Sequence, residues 1–124
     1  MNREILFRGK SLVSGYWIES DSIYRGYYNT TYLMNGTLER VIPETVDRYT
    51  GLVDRNGKKI FEGDIIKGKG KKAFAVEYSQ NIAGFVTRGP GAFSCPCMNI
   101  GTMKSYEVIG NIHDNPEMLE VEND

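Results

Sequence analysis

The chain has 124 residues, with 15 Lys and Arg against 16 Asp and Glu, for a formal net charge of −1. A chain of this length is expected to form one domain, or two small lobes, and to bury roughly two-thirds of the surface its unfolded form exposes, so its core needs no staples. The near-neutral charge excludes a general pull towards nucleic acid or membrane, apolar and charged fractions of 40% and 25% exclude wholesale disorder, and no apolar run approaches a membrane span.

Glu4-Ile5-Leu6-Phe7-Arg8 reads as a first strand that Gly9 ends. Leu12 to Ile18 reads as a second, bent at Ser14-Gly15. Ser22 to Met34 is rich in aromatic and β-branched residues but too long for an ordinary strand, so Gly26 is expected to kink or divide it. Asn35-Gly36 is a hairpin signal leading into Thr37 to Ile42, and Pro43-Glu44-Thr45-Val46 bridges to the second half with a short helical turn.

From Tyr49 to Lys67 the chain reads YTGLVDRNGKKIFEGDIIK, its most informative stretch. Asn56-Gly57 suits a two-residue type I′ turn, which requires positive φ at both central positions. Glu62-Gly63-Asp64 makes a second tight turn, and Ile65-Ile66 leave it as a strand. Ala73 to Tyr78 and Ala83 to Arg88 read as a strand pair, Gly89-Pro90-Gly91 as a loop, and Ser105 to Ile112 as the last strand with Gly110 at a bulge. Asn115-Pro116-Glu117 begins a short helix, with Asn as cap and Pro in its first turn, and Glu120 to Asp124 is an acidic tail. No sustained 3.6-residue apolar period appears before Asn111. The expected fold is mainly β, in an amino-terminal lobe over 1–44, a carboxy-terminal lobe over 45–119, and the tail over 120–124.

The residues Thr45, Val46, Tyr49, Thr50, Gly51, Leu52, Asp54, Asn56, Gly57, Lys58, Ile60, Phe61, Glu62, Gly63, Asp64, Ile65 and Ile66 resemble the core motif of the YopX family, small proteins found mostly in bacteriophages and prophages. Arg3 to Lys10 resembles the family's amino-terminal signature and Tyr106 to Glu117 its terminal one, so the likeness spans nearly the whole chain. It implies a phage- or prophage-type protein in a bacterial host cell and no residue-by-residue activity. By analogy the carboxy-terminal lobe resembles an SH3-like barrel. No apolar signal-peptide run follows Met1-Asn2-Arg3-Glu4, so a cytoplasmic setting is expected.

Four constellations carry chemistry. Lys67, Lys69, Lys71 and Lys72 fall in one Gly-rich stretch, as weak phosphate contacts or as a solvated loop whose charge discourages edge pairing. Tyr24, Tyr27, Tyr28 and Tyr32 cluster around Arg25, as base-stacking platforms or, more in keeping with Tyr, as core and protein-contact residues; strand alternation would put Tyr24 and Tyr28 on one face and Tyr27 on the other. Cys95 and Cys97 with His113 fall short of a structural zinc set, unless completed across an oligomer, and are too close for a relaxed mutual disulfide. Asp54, Glu62 and Asp64 are carboxylates in tight turns, where backbone N–H groups are their usual partners, so no catalytic residue, metal or cofactor is expected. The reading is a non-catalytic protein-binding chain that self-associates; the alternative is a nucleic-acid-binding module built on Lys67 to Lys72 and Tyr24 to Tyr32.

Overall fold

The structure, a computed structural model, describes residues 4–70, 72–89 and 95–119. It has three antiparallel sheets and, among the described residues, one short α-helix, so the fold is mainly β. The chain forms two compact units that divide between Tyr49 and Thr50. That division lies within a strand and not at Pro43 to Val46, because Thr45 is tied into the first unit: its hydroxyl accepts the Lys10 N–H at 2.9 Å and donates to the Ile42 carbonyl at 2.6 Å.

In the first unit β1 (Phe7–Lys10) pairs with β2 (Trp17–Ser20), Phe7 opposite Ser20 and Lys10 opposite Trp17. Gly9 does not end β1; it lies inside it, where a Cβ would meet Leu33 Cδ1 at 3.1 Å and Val41 Cγ1 at 3.3 Å. The strand expected from Leu12 begins instead at Trp17. Buried Ser11 turns the intervening chain, its hydroxyl accepting the N–H groups of Val13 at 3.2 Å and Ser14 at 3.1 Å. The second sheet holds β3 (Ile23–Arg25), β4 (Thr31–Asn35) and β5 (Thr37–Val41) in that order. A 3-10 turn over Tyr27–Asn29 divides the long aromatic stretch just after Gly26. The sheet's inner face buries Thr31, Leu33 and Val41.

β6 (Asp47–Val53) starts beside β1, with Asp47 opposite Arg8. Their side chains form an ion pair at 3.0 Å that is almost fully shielded from solvent, and the Arg8 guanidinium lies 4.9 Å from the centre of the Trp17 ring.

The second unit contains the end of β6 with β7 (Lys59–Phe61), then β8 (Asp64–Gly68), β9 (Ala73–Ser79), β10 (Gly84–Arg88), α1 (Ile100–Met103) and β11 (Tyr106–Asn111). Its sheet runs β10-β9-β8-β11. Ile60, Ile66, Phe74, Val76, Met103, Tyr106 and Val108 make the core, with Leu52, Phe85 and Met98 packed against it. Ile65 is also fully buried, so β8 is covered on both faces. The β8–β11 register slips between Val108 and Gly110, leaving Ile109 as the bulged residue. Gly110 serves close approach: a Cβ there would meet Asn115 Oδ1 at 2.7 Å and Met118 Sδ at 3.0 Å. α1, with Asn99 capping it through the Thr102 N–H at 2.8 Å, has no counterpart in the strand-and-turn reading.

Candidate functional site

The motif residues build a frame. The chain turns after β6 through Asp54 to Lys58, but not as the two-residue type I′ turn that Asn56-Gly57 suggests. Asn56 keeps a negative φ and only Gly57, at +81°, is left-handed. The Gly57 N–H donates to the Asp54 carbonyl at 3.0 Å and the Asp54 N–H to the Lys58 carbonyl at 2.8 Å, giving a three-residue loop closed by a glycine bulge. Asp54 decides between the two, because its carboxylate takes over the free amides. Oδ1 accepts the N–H groups of Asn56 at 2.8 Å and Lys58 at 2.9 Å, and Oδ2 accepts that of Val108, in β11, at 2.9 Å. Burial pushes this carboxyl pKa up, yet the three N–H donors and the Lys58 charge overcome burial and hold it below the usual carboxylate range.

The Glu62-Gly63-Asp64 turn is pinned in the same way. Buried Asp64 accepts the Phe61 N–H at 2.7 Å through Oδ2. Gly63, at φ +87°, donates to Val76 at 2.7 Å and accepts from Ile112 at 2.8 Å. Thr50 donates its hydroxyl to the Ile60 carbonyl at 2.7 Å and accepts the Leu52 N–H at 3.1 Å, while Gly51 sits at φ +89°. Burial first, and Glu4 second, raise the Tyr49 phenol pKa. Asp54 and Asp64 thus act on backbone amides, as structural residues.

Of the lysine stretch, Lys67 and Lys69 line a cleft of about 520 Å³ together with Arg55, Gly68, Gly70, Glu107 and Ile109. Lys72 is exposed, and Lys71 lies outside the described residues. Arg55 and Glu107 were not legible as partners of these lysines. They meet them only because β11 pairs with β8, placing Glu107 opposite Lys67, and because the Arg55 N–H donates to the Tyr106 carbonyl at 2.9 Å. The Arg55 guanidinium holds Glu107 at 2.6 Å.

The four tyrosines separate into two settings. Tyr24 and Tyr32 are cross-strand partners in β3 and β4, and Tyr32 also opposes Arg40 in β5, so the three side chains share the outer face of that sheet. Met34 and Leu38 form the next row on that face, both exposed. Tyr27 and Tyr28 do not continue the alternation with Tyr24, because the 3-10 turn intervenes. They are 88% and 97% exposed, and Tyr28 is held at φ +59°. The turn is pinned by the Thr30 hydroxyl on the Tyr27 carbonyl at 2.9 Å and the Gly26 N–H on the Thr30 carbonyl at 3.0 Å.

Cys95 and Cys97 are exposed free thiols. Among the described residues no group of three or more His, Cys, Asp or Glu side chains could hold a metal ion, and no helix is long and apolar enough to cross a membrane.

No curated protein matches the chain. Among solved structures it is similar to protein EF1440 from Enterococcus faecalis, 26% identical, with a TM-score of 0.58 over 96% of this chain and 100% of that one. The model of the family described as YopX protein matches residues 7–120, from the first strand through the 3-10 turn at Pro116–Leu119. The chain therefore belongs to the YopX family.

Proposed function

We propose that this YopX-family chain is a phage- or prophage-type protein of the bacterial cytoplasm that works by binding, without catalysis, and that its partner is a second copy of itself, docked through the outer face of the β3-β4-β5 sheet. The observation that carries the reading is the row Tyr24–Tyr32–Arg40 beside Met34–Leu38, with exposed Tyr27 and Tyr28 on the adjoining turn. Tyrosine and arginine anchors are the residues that dominate contact surfaces. The face carries both halves of an Arg–Tyr pair and no carboxylate, so two copies related by a two-fold axis can set each Arg40 over a tyrosine ring of the other. Tyr28 supports the same reading from its backbone: a left-handed conformation costs a bulky residue about 1 kcal/mol or more, and here it presents a ring to solvent.

Sedimentation equilibrium tests this. Tyr27→Ser with Tyr28→Ser is expected to shift the mass towards monomer while leaving the circular dichroism spectrum intact, and Lys69→Gln with Lys72→Gln is expected to leave the mass unchanged. An unaltered mass in the tyrosine variant, with a salt-sensitive DNA or RNA affinity lost in the lysine variant, would transfer the assignment to nucleic-acid binding.

A further inference from the structure

We infer that the cleft bounded by Arg55, the end of β8 with the Lys69-Gly70 turn after it, and Glu107 is a binding site for a phosphate-bearing anion. Its volume of about 520 Å³ falls within the range of small-ligand sites, large enough for a phosphate and part of its ester substituent. Three cations, Arg55, Lys67 and Lys69, face one carboxylate, Glu107, so the lining carries 3 − 1 = +2 charges. Lys67, near the end of β8, and Lys69, in the turn that follows it, both line the cleft, so both ammonium groups can approach one ligand. Gly68 and Gly70 add no side chain of their own, and Gly70 faces open space, so an anion can come close to the backbone there.

Arg55 is the prepared element of the site. Its neighbour Asp54 fixes the hairpin with three charge-assisted bonds, and its own N–H is bonded to Tyr106, so the backbone that carries the guanidinium is already ordered. Without an anion, Glu107 serves as its counter-ion, at 2.6 Å. That pair is about 40% exposed on each side, where an ion pair contributes little, so a phosphate can replace the carboxylate on the planar guanidinium at small cost. Glu107 then acts as a built-in competitor. Bulged Ile109 offers an apolar contact to the substituent of the ester. The site lies wholly in the second unit and does not depend on the self-association reading.

The phosphate could be that of a free nucleotide or a phosphodiester of a nucleic-acid strand, and two probes tell them apart. Binding of pyrophosphate by calorimetry and of a short labelled oligo-dT by anisotropy would be measured on the full chain at low salt. Lys67→Gln with Lys69→Gln is expected to weaken binding by roughly tenfold or more. Glu107→Gln is expected to tighten it by about threefold or more, by removing the competing charge while keeping an amide oxygen for Arg55. All three side chains are at the surface, so unchanged circular dichroism is expected to accompany both shifts. Pyrophosphate binding that follows this pattern assigns the site to free phosphates; the same pattern with oligo-dT alone assigns it to a strand backbone. No binding of either probe by the native chain or by Glu107→Gln, full affinity in the lysine variant, or weaker binding in Glu107→Gln overturns the inference.

Discussion

Asp54 sets the geometry of the hairpin after β6 and ties it to β11. Replacing it with Asn leaves one oxygen to serve the amides of Asn56, Lys58 and Val108, and the expected loss is about 2 kcal/mol, read by chemical denaturation. The pH dependence has a definite sign. The folded carboxyl titrates below its unfolded value of about 3.9, so its contribution is present above that pH and disappears as pH falls through the folded value. Asp54→Asn is therefore expected to flatten the acid limb of the stability curve, and an acid limb identical to that of the native chain would show that another carboxylate is responsible. Gly57 contributes through its backbone alone, since a Cβ there meets nothing within 4 Å while φ stands at +81°. Gly57→Val should cost about 1–3 kcal/mol and Gly57→Asn distinctly less, because Asn tolerates the left-handed region. Equal costs for the two would refute a purely conformational role.

At the scale of elements, Gly9 gives the sharpest test of packing. Gly9→Val in β1 is expected to destabilise by about 2 kcal/mol, since added carbons must displace Leu33 and Val41, and Leu33→Ala in the same variant should recover part of the loss in thermal denaturation. The residue also shows where local reading ran out: a glycine after an apolar run looks like a strand end, but it lies mid-strand because another sheet crosses close to it. Strand pairs joined by short turns were legible, among them β4–β5, β9–β10 and the β6–β7 hairpin, because turn residues and β-branched runs act locally. The turn type at Asn56-Gly57 was not, because Asp54 takes the Asn56 and Lys58 amides with one carboxylate oxygen while its other oxygen is held by the Val108 amide of a strand distant in sequence. For the same reason the lysine stretch was visible in the sequence whereas Arg55 and Glu107 as its partners were not: they are joined to it by the β8–β11 ladder. α1 is one turn long and capped by a single Asn, which is too short to imprint a period.

At the scale of the molecule, the two units present different chemistry. The first shows an aromatic sheet face relieved by one arginine, and the second an electropositive cleft framed by the motif hairpin. Thr45, Thr50, Asp54 and Asp64 of the motif bond to backbone, which fits a pattern that specifies a scaffold, and the exposed tyrosines and the cleft lining are the surfaces proposed for binding. Self-association is proposed to run through the β3-β4-β5 face. Hydroxyl-radical footprinting across a dilution series, read residue by residue with mass spectrometry, tests it most directly. Tyr24, Tyr27, Tyr28 and Tyr32 are expected to lose reactivity as concentration rises, while Tyr78 of the second unit keeps its own. Tyrosine reactivities that are the same at every concentration would contradict the account.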